Sequence, residues 1–338
     1  MKNLFRYILT RTLMTIPMVL ILLTIIFVVL RLMPGDPVSA MLGGHAPEKV
    51  IEQKREQLGL NRPMHVQYAD YIWKVCHMDL GESMVLQQEV TVAIAEKLPA
   101  TIELTAFGML ITLVIGVLLG AYAADKRRTI RDSAIRLYGI VVYCIPVYWL
   151  GLMLQLVFGI WLDWLPIAGR TGPRIFASDF QNTGFYLVDT LLVRDWEAFR
   201  DVLIHLVLPS FTLGLTLSGI FVRLTRANML DVLKADYILA AESRGIPHGR
   251  IVYRHALMNA FIPILTMMGL QVALLMAGAI LTETTFSWPG MGRLLLERIY
   301  LRDYPTIQGV IIVFALMVAF ISLLVDIIYA IVDPRIRY

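Results

Sequence analysis

The sequence predicts an all-α integral membrane protein with six transmembrane helices, both termini on the cytoplasmic side and a long first external segment. Three observations lead there. Between charged side chains, or His255, run six unbroken apolar stretches: 12–30, 104–124, 137–162, 202–222, 256–282 and 304–325. Each has 19 to 27 residues, and a helix rising ~1.5 Å per residue crosses the ~30 Å hydrocarbon layer in roughly 20. Hydrophobic residues make up 58% of the chain, against about 45–50% in soluble domains. Charge is also asymmetric. Segments 1–11, 125–136, 223–255 and 333–338 hold 16 Lys and Arg against 6 Asp and Glu, whereas 31–103, 163–201 and 283–303 hold 14 against 19. Basic short loops stay in the cytoplasm, and Lys126-Arg127-Arg128 with Arg131 is the strongest marker.

The first run follows Lys2, Arg6 and Arg11 but exceeds the ~7–15 apolar residues of a signal peptide. It leads into Met33-Pro34-Gly35-Asp36-Pro37 rather than a small-residue cleavage site, so it reads as an uncleaved anchor. The first external segment has helical composition over 47–58, a turn at Asn61-Arg62-Pro63 and again helical composition over 67–77. That pattern predicts a small folded cap. Glu103 opens the second run, and Pro146 interrupts the third, which ends near the interfacial aromatics Trp161 and Trp164. His205 lies near the outer edge of the fourth run, Glu283 closes the fifth, and Asp326 follows the sixth. The chain divides into an anchor helix with its cap, 1–96, and a five-helix domain, 97–333, whose cytoplasmic loop covers 228–258. Cys76 and Cys144 fall in segments too different to pair.

Catalytic chemistry has little to stand on. The chain lacks a G-x-x-x-x-G-K-[ST] phosphate loop, an H-E-x-x-H and a C-x-x-C, and Ser210 and Ser218 have no nearby His and Asp in sequence. No catalytic residue, metal centre or cofactor is expected in this chain. The basic residues are spread over membrane-adjacent loops and do not form a nucleic-acid surface. Carriers that couple to ions place ionisable groups near mid-membrane; here Glu103, Glu283 and Asp326 sit at span edges and read as solvated or ion-paired helix ends. Glu103, Pro146, Met276 and Glu283 are nonetheless the candidates for a translocation path or gate. Gly116, Gly120, Gly269 and Gly278 read as packing positions.

Residues 240–263, AAESRGIPHGRIVYRHALMNAFIP, break the apolar pattern. Tyr237, Ala240, Ala241 and Arg244 recur at i, i+3, i+4 and i+7 and share one helical face. Gly245 suits a left-handed stop, Ile246 follows, and Pro247 opens a second helix that runs into the fifth span. Composition leaves two readings open. Small residues and arginines could receive a protein partner, membrane lipid being the other surface on which such an amphipathic hairpin could lie.

This passage resembles the cytoplasmic coupling loop of binding-protein-dependent ABC importer permeases, which carries E-A-A, three residues, G and a later I-x-L-P. Leu239-Ala240-Ala241 and Gly245 match, with Leu239 in place of the acid. Arg254 to Ala260 followed by Pro263 has the R-H-A-L-x-N-A form of the dipeptide/oligopeptide/nickel branch, which lacks the I-x-L-P proline. Further similar segments run the length of the chain: Pro34-Gly35-Asp36-Pro37, Leu58-Gly59-Leu60, Thr101-Ile102-Glu103-Leu104, Leu208-Pro209-Ser210, Phe286 to Gly292, and Asp333 to Tyr338.

The resemblance implies a MetI-like permease fold in a prokaryotic cytoplasmic (inner) membrane. It also implies a homologous second permease subunit, two ABC ATPase subunits that bind ATP and Mg, and an external or periplasmic substrate-binding protein. Tyr237, Ala240, Ala241, Arg244, Gly245, Ile246, Arg254 and His255 would then couple ATPase motion to the membrane. Thr183-Gly184-Phe185-Tyr186 and Asp189 resemble dipeptide-type members. The implied cargo is dipeptides or short oligopeptides, with nickel or another small solute as the alternative. A self-contained ion-coupled carrier and a membrane enzyme are the readings from other classes.

Overall fold

The computed structural model describes residues 2–32, 38, 47–57, 59, 61–83, 85–173, 175 and 182–332. The motifs at 34–37 and 333–338, Leu58 and Leu60, and the side chain of Asp326 lie outside the described residues. Helix α1 (Lys2–Leu32) is followed by two cap helices, α2 (Glu48–Gln57) and α3 (Met64–Cys76). A two-residue hairpin, β1 (Glu82–Ser83) with β2 (Gln88–Glu89), is the one strand pair among the described residues, and it was not expected from the sequence. Then come α4 (Val90–Asp125), α5 (Ile130–Cys144), and α6 (Val147–Leu154), which widens into a π-helical stretch, Gln155–Trp161. After a loop follow α7 (Tyr186–Val193), α8 (Trp196–Val232), α9 (Asp236–Ser243) and α10 (His248–Arg250). A second π-helical stretch, Ile251–Ala256, leads into α11 (Leu257–Thr285), and α12 (Met291–Tyr300) and α13 (Tyr304–Val332) are the last elements among the described residues.

By length and composition four helices among the described residues can cross a membrane: Thr12–Val29 within α1, all of α4, all of α8, and Tyr304–Val325 within α13. Two bent pairs bring the number to six if each is one span. One is α5 with 147–161, bent by 103°, and the other is 248–261 with 263–269, bent by 47°. The first bend has a local cause. Residues before proline are driven out of the helical region, and Ile145 is extended at φ −76°, ψ 125°. Pro146 therefore does more than kink the third apolar run; it divides it. Other runs prove shorter than their helices; α4 starts at Val90 rather than 104, and α8 spans 196–232 rather than 202–222.

Helices α4 and α8 form the most extensively packed pair. Their upper contact encloses Ala100, Leu104, Leu206 and Leu213 together with Leu275 of α11 and Trp288. Helix α5 crosses α8 where Gly139 meets Gly219; a Cβ on Gly219 would collide with the Gly139 carbonyl oxygen. Small residues at such crossings let backbones approach where lipid supplies no hydrophobic drive between helices. Beside that crossing the hydroxyls of Tyr138 and Ser218 share a 2.8 Å hydrogen bond. The cap is docked: the Phe27 ring of α1 lies 5.4 Å from both Tyr68, which it meets edge-to-face, and Tyr71 of α3, and Thr24 shares a 2.7 Å hydrogen bond with Tyr68.

Candidate functional site

The hairpin between α8 and α11 is built as the local sequence requires. Asp236 in the first turn of α9 suits the positive helix end. At the other end Gly245 takes φ +72°. The Ile246 N–H donates to the Ala241 carbonyl at 3.2 Å, and the Gly245 N–H donates to the Glu242 carbonyl at 2.9 Å. This pair of bonds is a Schellman stop, and the accompanying apolar contact is supplied by Ile246 and Ala241, which pack on the same cluster. Pro247 stands just before α10 rather than in its first turn, its carbonyl accepting from Arg250 and Ile251.

The hairpin has an inner and an outer side. Ile238, Ile251, Val252 and Ala256 are buried against Ala121 and Ala124 of α4 and Met229 of α8. Tyr237, Ala240, Arg244, Gly245 and Arg254 are exposed, while Ala241, Ile246 and His255 are half-buried. Thus three of the four residues placed on one face by sequence spacing point outward, and Ala241 turns partly inward beside Ile238, whose anchoring role the spacing did not reveal.

Two carboxylates flanking the α4–α5 turn hold the hairpin and the end of α8 that leads into it. Asp132 accepts both Arg226 Nε at 2.7 Å and Arg226 Nη2 at 2.8 Å, and also the Arg128 N–H at 3.0 Å. Asp125 accepts from His248 Nε2 at 2.5 Å and pairs with Lys126 at 2.8 Å. The hydrogen bond and charge of Asp125 raise the Lys126 ammonium above the usual lysine range. Sequence reasoning missed these contacts. The available clue was that Asp125 and Asp132 are the two acids within the basic stretch 125–136.

The path candidates fall elsewhere. Glu103 is buried, accepting Arg170 Nη2 at 2.6 Å and the Leu187 N–H at 3.0 Å. Arg170 also donates to the Gly184 carbonyl at 2.8 Å and lies 3.6 Å above the Tyr186 ring. Asp189 fastens the same loop by accepting the Thr183 hydroxyl at 2.7 Å and the Gly184 N–H at 3.0 Å. Glu283 is fully buried; it accepts the Thr101 hydroxyl at 2.6 Å and the Arg293 N–H in the first turn of α12 at 2.9 Å. A carboxylate at a helix N-terminus is favourably placed. Neither glutamate is a solvated helix end: Glu103 is ion-paired but enclosed, and Glu283 caps a helix. Met276 is buried and Pro146 exposed. Among the described residues no three His, Cys, Asp or Glu are placed to hold a metal ion, and Cys76 and Cys144 are free.

Residues 116–338 match the family described as binding-protein-dependent transport system inner membrane component, and residues 4–105 match its N-terminal family. The chain is 40% identical to a dipeptide transport system permease protein of Alkalihalophilus pseudofirmus, covering 98% of this chain and 99% of that one. It is 39% identical, at the same coverage, to the corresponding protein of Escherichia coli. A glutathione transport system permease protein of Salmonella choleraesuis is 36% identical, again over 98% and 99%. The chain therefore belongs to the binding-protein-dependent transport system inner membrane components.

Proposed function

We propose that this chain is one permease subunit of an ATP-driven importer of dipeptides or short oligopeptides. It crosses the membrane six times with both termini in the cytoplasm, each bent pair forming one span, and its first helix and cap (1–96) stand beside a five-helix domain (97–333). A homologous permease completes the path, two ATPase subunits bind ATP and Mg at the cytoplasmic face, and an external binding protein delivers cargo. The relatives' printed cargoes, dipeptides and glutathione, support a peptide substrate.

The observation that carries this reading is the two-sidedness of the hairpin. A hairpin resting on lipid would turn its Ile and Val side to the bilayer. Here that side is buried on α4 and α8, and the exposed side sets Ala240, Gly245, Arg244 and Arg254 among Tyr237, Leu239, Glu242 and Tyr253. That surface suits close approach by a protein carrying acidic groups. The hairpin is continuous with α8 and α11, so force applied to it reaches both helices and can bias two arrangements of the path.

The test is reconstitution. This chain with its permease partner, ATPases and binding protein in proteoliposomes should take up a labelled dipeptide only with ATP, and this chain alone should hydrolyse none. Nickel uptake without peptide uptake would replace the cargo; uptake by the chain alone, driven by a proton gradient, would overturn the assignment.

A further inference from the structure

We propose that Arg223, held over the ring of Tyr143, is a station on the translocation path that takes the carboxylate end of a passing peptide. The proposal rests on the functional reading above. Helices α5 and α8 lie side by side in a fixed register. Asp132 bonds to Arg226, and a Cβ on Gly139 would meet the Gly219 carbonyl oxygen at 3.4 Å and Val222 Cγ1 at 3.7 Å. The third apolar run begins at Leu137 and the fourth ends at Val222, so the two runs put the inner edge of the apolar layer at one level.

Arg223 follows that edge directly. A long basic side chain at a span end ordinarily reaches back toward the headgroups. This one is drawn the other way. Its Cζ lies 5.3 Å from the centroid of the Tyr143 ring, and Tyr143 stands six positions past Leu137 on α5, about 9 Å of helix rise deeper. The negative face of the ring attracts the guanidinium and keeps it beside the apolar run. Among the described residues Arg226 and Arg136 both pair with Asp132, whereas Arg223 pairs with no carboxylate. Arg223 and Tyr143 are both exposed on this chain.

Lipid does not suit this face, for two independent reasons. A charge at membrane depth faces a water-filled cavity or a protein partner. Irregular backbone at that depth is likewise confined to protein or to the wall of a cavity, and the helix breaks at Ile145 and Pro146, just past Tyr143, with Pro146 exposed. A wet wall that offers one uncommitted guanidinium suits an anion, and the planar fork of arginine matches a carboxylate. Every unmodified peptide carries a carboxylate at its C-terminus, so the station serves cargo of varied sequence.

Cys144, free and exposed next to Tyr143, is a natural reporter of this face. The complete importer, carrying Cys76→Ser, is placed in lipid nanodiscs and treated with methanethiosulfonates bearing either a sulfonate or a trimethylammonium group, and the mass of this chain is followed. Both reagents should modify Cys144. Relative to their rates with a free thiol in solution, the anionic one should react at least about threefold faster. Arg223→Gln should abolish that preference, and Arg223→Lys should keep it. In proteoliposomes Arg223→Gln should lower ATP-driven uptake of dialanine about three- to tenfold with complex yield unchanged, and Arg223→Lys should retain most of it. A Cys144 that reacts with neither reagent in the importer puts the face in lipid or against the sister subunit and overturns the proposal. An anion preference present in the isolated chain and absent from the importer overturns it too, because a carboxylate of the sister subunit then takes Arg223. Wild-type uptake by Arg223→Gln has the same force. Absence of peptide uptake by the wild-type importer sinks the functional reading instead, and the reagent preference then separately upholds or refutes an anion station at Arg223.

Discussion

Gly245 meets a backbone requirement and no steric one within this chain. Its φ is +72°, and a Cβ there would meet nothing within 4 Å. An L-residue in this conformation costs roughly 1–2 kcal/mol. Gly245→Asn should be nearly silent, since Asn tolerates the left-handed region. Gly245→Val should insert normally while ATPase recovery and uptake per complex fall severalfold; co-purification and uptake with wild-type values for Val would remove the coupling role from this glycine. The position was legible because Gly and Pro punctuate the chain two residues apart. Glu283 was not, because its partners Thr101 and Arg293 belong to other elements, Thr101 lying 182 positions away. Local sequence shows a carboxylate at the end of an apolar run and nothing of what encloses it. Glu283→Gln puts an amide N–H₂ among the groups that now donate to it, at a cost of roughly 1–3 kcal/mol. Gly290→Ala, whose Cβ would strike the same carboxylate, should lower the thermal midpoint in detergent at least as far. Unchanged melting of both variants would contradict this account of the joint.

Among the elements, apolar length identified where helices lie but not where they stop or turn. Helix α4 runs back through Glu96 and Lys97, residues that end an apolar count but not a helix. The proline in the third run was visible, whereas the 103° turn it allows depends on where α6 packs. Gly151 of α6 sits against Phe286 and Thr285 at the end of α11, a meeting no single segment announces. The α5–α8 crossing invites a direct test. Gly219→Val must separate the helices and weaken the Tyr138–Ser218 bond. Overpacking of this kind costs typically 1–3 kcal/mol, so folded yield and melting temperature should drop together. Gly249→Val, at a glycine with open space around it, is the control expected to leave both unchanged.

For the molecule as a whole, orientation is a statement about sides. Cys76 and Cys144 are both exposed and free. With Cys144 replaced, an impermeant thiol reagent outside permeabilised-envelope cells should reach Cys76 and should miss a cysteine introduced at Gly249. Labelling in the reverse pattern would invert the topology. The polar joint at Glu283 also has a consequence for how the protein comes into being. Its Thr101 is made early and waits for Glu283 and Met291, and the Trp288 indole N–H bonds back to the Ala100 carbonyl at 2.9 Å. At translation speeds of about 5–20 residues per second, the 182 positions from Thr101 to Glu283 take on the order of 10–40 s. During that interval the nascent α4 has entered the bilayer with its polar end unmatched, so the newborn chain depends on the insertion machinery, or on interfacial water, to shelter that end until α12 arrives.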